Sequence, residues 1–173
     1  MGIYLGDGYI VRMRRTFRLR VFLDLKYPLI IQQSVAAIAA IRGRWPGSLD
    51  KEGCIELSSY WNHWPCLFPQ HGPGMKHQRD VSLKPWQREI ADSYPRELLR
   101  GLIHSDGSRD LNRVKGKDYP RYQFANNSSD IQEVFRRACE ALGVRWSQPW
   151  WKTVAVSRRP DVELLDRFIG PKA

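Results

Sequence analysis

Cysteine is scarce in this sequence: three residues, Cys54, Cys66 and Cys139, with no Cys-x-x-Cys pair. An odd, scattered set excludes a disulfide framework and fits a reducing compartment. Long apolar runs are missing as well. None approaches the ~18 residues that span a bilayer, and no leader-like stretch precedes the first motif, so a cytoplasmic protein without a membrane partner is expected. Acidic residues are outnumbered, 18 Asp and Glu against 28 Lys and Arg, for a net charge of +10. The excess is not one basic tail, since residues 1–86 carry 12 basic against 6 acidic side chains and residues 87–173 carry 16 against 12. Apolar residues are plentiful, at 42% with seven Trp, which excludes disorder. A folded chain of 173 residues with this charge most commonly meets nucleic acid; solubility alone is the plain alternative.

The chain repeats itself. "GIYLGDG" near the N-terminus aligns with "LLRGLIHSDG" farther on, setting Gly2, Gly6, Asp7 and Gly8 against Gly101, Ser105, Asp106 and Gly107. After Gly8, "YIVRMRRTFRLRVFLDL" alternates apolar Val11, Met13, Phe17, Leu19 and Val21 with Arg12, Arg14, Arg18 and Arg20, which predicts a hairpin with one arginine face. A helix over residues 27–43, a strand over 54–60 and a helical turn at 62–68 follow. The second copy offers a hairpin over 111–126 turning near Gly116-Lys117-Asp118, with Arg113, Lys115, Arg121 and Gln123 on one face. A helix at 128–144, two strands around Gln148-Pro149 and a closing helix at 161–170 complete it.

The order helix, hairpin, helix, two strands, helix, run twice, predicts an α+β protein: repeats at 1–70 and 95–173, joined by a Gly-, Pro- and base-rich connection at 71–94. Like-charged arginines along a strand repel unless a polyanion or solvent meets them, and Arg suits phosphate and guanine, so strands laid against duplex DNA are expected. A merely solvated polar sheet face is the alternative.

Each repeat also ends its first helix on a carboxylate, where the helix dipole disfavours one. Gly2 and Gly6, like Gly101 and Ser105, share one helix face, and Gly inside a helix costs about 1 kcal/mol against Ala. Two helices packed through those small residues would bring Asp7 and Asp106 together at their negative ends. Such a pair calls for a divalent cation with oxygen ligands, Mg²⁺ above all, and a metal beneath a DNA groove suggests phosphodiester hydrolysis. A second constellation, His63, Cys66, His71 and His77, has zinc-ligand chemistry but no standard finger spacing; the alternative sets His63 and Cys66 in packing and His71, Lys76 and His77 toward DNA backbone.

"GIYLGDG" and "LRGLIHSDG" resemble the motif of the LAGLIDADG homing endonucleases, and the duplicated layout is similar to that family's monomeric, two-repeat form over nearly the whole chain. The resemblance implies pseudo-symmetric αββαββα repeats whose antiparallel sheets form a DNA saddle. It implies site-specific, Mg²⁺-dependent double-strand cleavage, with Asp7 and Asp106 as catalytic metal ligands. Asp24 and Asn126 fall near the family's polar active-site positions, and Lys26 and Arg109 are candidates for its basic groups. Two departures stand out: the first motif lacks the family's upstream helical turn, and His104 stands where the second motif often has its first Asp. A DNA-binding regulator on the same fold, without efficient cleavage, is the alternative. On either reading a monomer is expected, associated with the nucleoid when bound to DNA.

Overall fold

The computed structural model describes residues 1–170 and 172, and its element order is duplicated. The first copy runs α1 (Gly2–Asp7), β1 (Gly8–Arg12), β2 (Phe17–Asp24), α2 (Pro28–Arg42), β3 (Gly47–Lys51), β4 (Cys54–Tyr60) and α3 (Trp64–Leu67). The second runs α5 (Pro95–Asp106), β5 (Gly107–Val114), β6 (Lys117–Ala125), α6 (Ser129–Ala141), β7 (Ser147–Trp150), β8 (Thr153–Val156) and α7 (Arg159–Ile169). Each copy builds one four-stranded antiparallel sheet with the same order, β1-β2-β4-β3 and β5-β6-β8-β7. This is the α+β, two-repeat layout expected from the sequence. The chain divides into two compact units: Ile3–Pro73 with Lys172, and residues 74–170 with Met1–Gly2. No helix among the described residues is long and apolar enough to cross a membrane.

In the first unit, Leu19, Val21 and Leu23 of β2 turn inward beside Ile10 and Leu57, all nearly inaccessible. Below them Trp64 is wholly buried, with its indole N–H satisfied by the Ser59 carbonyl at 3.0 Å, and Tyr4 stacks on Phe68 at 3.8 Å between centroids. Helix α2 starts with Pro28 in its first turn and stops at Gly43, which takes the left-handed conformation (φ 68°) that glycine reaches without strain.

In the second unit, α5, α6 and α7 cover one face of the sheet. Phe124 of β6 and Phe135 of α6 stack at 4.7 Å, both fully buried, among Leu99, Leu102, Ile131, Val154 and Leu165. Ser128 caps α6 by accepting from the Ile131 N–H. The connection between the motifs is more than a linker, because it contains helix α4 (Pro85–Ser93). Asp92 of α4 ties it to Arg137 of α6, and the Val81 N–H leading into it donates to Asp130.

Three local expectations shift. The β7–β8 turn falls at Trp151-Lys152 rather than Gln148-Pro149, because β7 is an edge strand and an edge tolerates Pro149. The second hairpin turns at Lys115-Gly116, both at positive φ, one residue earlier than read, and its first strand begins at Gly107 rather than Leu111. Strand β3, exposed at every residue, has no apolar alternation to betray it.

Candidate functional site

The helix-to-strand junction is built alike in both units. Asp7 is the last residue of α1 and Gly8 the first of β1; Asp106 and Gly107 repeat this at α5 and β5. No loop intervenes. A Cβ on Gly8 would lie 2.5–2.8 Å from atoms of Tyr4, and one on Gly107 would lie 2.7–2.9 Å from Ile103, four residues back in each case. Gly107 has φ −106°, so its requirement is space, not left-handed geometry. The glycine lets the chain fold straight back from helix to strand, and that reversal pins a half-buried carboxylate at the negative end of the helix.

Around Asp106 the second unit assembles a polar network. Asn126 donates from Nδ2 to Asp106 Oδ2 at 2.7 Å, while its Oδ1 accepts from the Ser128 N–H at 2.8 Å. Those two partners fix the amide's orientation. The Asn126 N–H donates to the Lys152 carbonyl, and its carbonyl accepts from Gln132 Nε2 at 2.8 Å. Gln132 is a buried residue of α6 that also donates to the Trp151 carbonyl and accepts from Gln148. Sequence reading identified Asn126 but missed Gln132 and Gln148, since a glutamine in a helix or at a strand end carries no periodic signal.

In the first unit Asp24 closes the corresponding turn. Its Oδ1 accepts from the Lys26 N–H at 3.0 Å and its Oδ2 faces Lys26 Nζ at 3.0 Å. The Lys26 N–H bond, then the ammonium, hold the Asp24 carboxyl below its ordinary range, and Asp24 raises the lysine in return. The Leu25 N–H donates to the Gly53 carbonyl as the Asn126 N–H does to Lys152, so Asp24 sits one ladder position before Asn126's equivalent. Lys26 and Lys172 both lie over the Tyr27 ring, at 4.8 and 5.4 Å.

Arg109, a candidate basic group of the site, is engaged by another helix in the structure. Its ladder partner is the buried Tyr122, so it lies on the helix-covered side, where it makes a two-pronged bond to Asp166 of α7 at 2.7 and 2.9 Å. Tyr122 donates its hydroxyl to the same carboxylate at 2.6 Å. Burial first, then this bond, raises the Tyr122 phenol, and Arg109 lowers Asp166. Arg109 therefore fastens α7 to the sheet.

The face of the first sheet opposite its core is basic and aromatic. Ladder pairs put Tyr9 with Arg20, Val11 with Arg18, and Phe22 and Leu49 with Glu56 on this side. Glu56 lies at its centre, only 1% exposed, bonded to Arg18, Arg20 and Lys51. The hairpin phase differs from the sequence reading. Arg12 pairs with Phe17 across a four-residue turn, shares Phe17's face, and stands over its ring at 4.9 Å, while Val11 joins the arginine side. Arg14, with Arg15, lies in the exposed turn. On the second sheet, Arg121 and Gln123 share the outer face with Ser108, Asp110 and Asn112. Arg113 points to the other face beside Asp118, at 3.9 Å, and Lys115 sits in the turn.

Of the small residues expected at helix contacts, Gly2 is the clearest. A Cβ there would lie 2.6 Å from the Leu98 carbonyl oxygen, 2.7 Å from the Leu102 nitrogen and 2.8 Å from the Gly101 carbonyl carbon. Gly6 stands near the end of α1, and Ser105 donates to the Leu102 carbonyl inside α5. The zinc constellation is not assembled: among the described residues no three His, Cys, Asp or Glu side chains converge to hold a metal. His71 instead packs edge-on to Phe17, and His63 edge-on to Trp61.

No protein-family profile matches the chain. No curated protein matches it either. Solved structures do match, and the likeness defines the class of fold: this chain's two-repeat α+β layout is similar to that of structures described as homing endonucleases and as a LAGLIDADG meganuclease. I-DmoI in complex with DNA and Mn is similar with a TM-score of 0.63 at 14% identity, over 98% of this chain and 93% of that one. The meganuclease I-AabMI bound to uncleaved DNA is similar at 0.58 and 11%, over 96% and 80%. I-SmaMI bound to uncleavable DNA is similar at 0.58 and 10%, over 98% and 81%. At these identities the likeness is one of fold.

Proposed function

We propose that the protein is a site-specific DNA endonuclease that hydrolyses phosphodiesters in both strands of a duplex, acts as a monomer and depends on Mg²⁺. The observation that carries this reading is the duplicated helix–Asp–Gly–strand junction, set each time at the end of a sheet whose outer face carries arginine or amide side chains. Carboxylates at the negative ends of two helices are disfavoured without a cation. Their hard oxygen donors suit Mg²⁺. Asp7 in one unit and Asp106 in the other are each placed to be a ligand for such an ion; a divalent ion bound there would supply Lewis acidity at the scissile phosphate and activate water.

The chain's own groups divide the remaining work. Asn126 holds the Asp106 carboxylate in one orientation. Lys26, paired with Asp24, offers an ammonium group for phosphate in the first unit. Arg18 and Arg20 of one sheet, and Arg121 and Gln123 of the other, meet the duplex.

The test is cleavage of a randomised duplex library by purified protein in Mg²⁺, against EDTA and against Ca²⁺. Enrichment of one cut site in Mg²⁺ alone is expected. Tight, sequence-selective binding with no cleavage in any divalent ion would replace this reading with a DNA-binding regulator.

A further inference from the structure

The second unit has a feature that the carboxylate site does not use. Trp150 and Trp151, at the β7–β8 turn, are each 61% exposed. Two adjacent open indoles are unusual on a soluble surface and mark a contact. Their placement says with what. Trp150 pairs with Thr153, and Thr153 with Ala125, two residues along β6 from Gln123, so Trp150 stands on the outer sheet face with Gln123 and Arg121.

The turn is also held rigidly. The Trp151 carbonyl accepts from Gln132 Nε2 at 3.1 Å and from Gln148 Nε2 at 3.0 Å, and the next carbonyl, of Lys152, accepts from the Asn126 N–H at 2.9 Å. Asn126 is the residue bonded to Asp106. The same amide network, with buried Gln132 at its centre, therefore fixes both the site carboxylate and the backbone that presents the indoles. The first unit places Lys51 at the equivalent ladder position and Glu52-Gly53 in the turn, with Lys51 already engaged by Glu56.

We propose that Trp150, backed by Trp151, is a stacking wedge that enters a base step of the bound duplex beside the Asp106 site. This rests on the DNA-endonuclease reading above. An indole stacks on any base, and apolar side chains inserted between base pairs unstack and kink the helix. Pyrimidine–purine steps open most easily, so the wedge would select flexible steps through deformability rather than base edges.

The experiment compares wild type with W150A/W151A on two labelled probes in Ca²⁺: a short random-sequence duplex, and the same duplex with one central mismatch whose bases are already partly unstacked. Thermal melting by circular dichroism is read in parallel. Wild type should favour the mismatched probe by about tenfold. The double variant should melt as wild type, keep the salt dependence of intact-duplex binding and lose the preference; W150F should restore most of it. Equal affinities of wild type and variant for both probes would overturn the wedge while leaving the endonuclease reading standing. Loss of self-association in the variant with unchanged DNA affinities would overturn it in favour of a protein contact. Failure of wild type to bind either probe would overturn both readings.

Discussion

Arg20 grips Glu56 with two parallel bonds, Nε to Oε1 at 2.8 Å and Nη2 to Oε2 at 2.7 Å, and Arg18 and Lys51 close on the same carboxylate at 2.6 and 2.8 Å. Arg20 first, then Lys51, hold the Glu56 carboxyl down to about 2. Its folded value lies below its unfolded one, so the stabilisation is present above the ordinary glutamate range and is lost as pH falls from there through about 2. We expect acid to remove roughly 2–3 kcal/mol from this source. Denaturant melts at neutral pH and at pH ~3 should show that loss in wild type and a smaller one in Glu56→Gln, which is already weakened at neutral pH. Parallel acid losses in the two proteins would mean that Glu56 does not organise this face.

The reversal at each motif depends on missing side-chain atoms. Gly107→Ala and Gly8→Ala should each destabilise by about 1–3 kcal/mol or more, because the added Cβ meets Ile103 or Tyr4 well inside contact distance. Gly43→Ala, a left-handed glycine with nothing within 4 Å, should lose only its conformational share, about 1 kcal/mol. Chemical denaturation of the three variants orders these effects, and a milder loss at Gly107 than at Gly43 would count against the crowded junction.

Removing a junction charge should separate chemistry from folding. Asp7→Asn and Asp106→Asn are each expected to abolish cleavage in Mg²⁺ while retaining duplex binding in Ca²⁺. Metal-free stability should hold or rise by ~0.3–1 kcal/mol, since a carboxylate leaves a helix C-terminus. At Asp106 the substituted amide still offers an oxygen to Asn126. Cleavage at the parental rate in both variants would remove these residues from the site.

Arg109 and Asp166 should behave as a structural pair. Asp166→Ala leaves the Tyr122 hydroxyl and the Arg109 guanidinium without their shared acceptor, and we expect a loss of about 1–2 kcal/mol. Any remaining folded protein should cleave at the wild-type rate. A large fall in turnover without a fall in stability would restore Arg109 to the reaction.

Duplex binding should be steeply salt-dependent. Six to ten phosphate contacts would lower affinity by about 10³–10⁵ between 50 and 200 mM salt, measured by anisotropy. A flat response would contradict the use of the two sheet faces.

Duplication, motif and element order were legible because each repeats a pattern with its own period. Strand faces were legible where burial enforces alternation, as at Leu19, Val21 and Leu23, and failed where a turn reset the parity. The four residues between Arg12 and Phe17 carry Arg12 to the side that alternation gave to Val11. Pro149 reads as a turn until the strand order shows that β7 is an edge. Glu56 carries no signal in the strand at 54–60; only the convergence of β2, β3 and β4 reveals three cations around it. Arg109 is similar, because Asp166 lies far along the chain and no local spacing connects them.

The zero-length passage from helix to strand has a mechanical corollary. A linker would let a strand tilt under load while the preceding helix stayed still. With Gly8 and Gly107 seated against the helical turn behind them, strand root and helix end have no room to slide past each other. A bend imposed on a sheet's outer face is therefore expected to reach the adjoining aspartate directly, so that on the proposed function distortion of the duplex would displace the carboxylate itself.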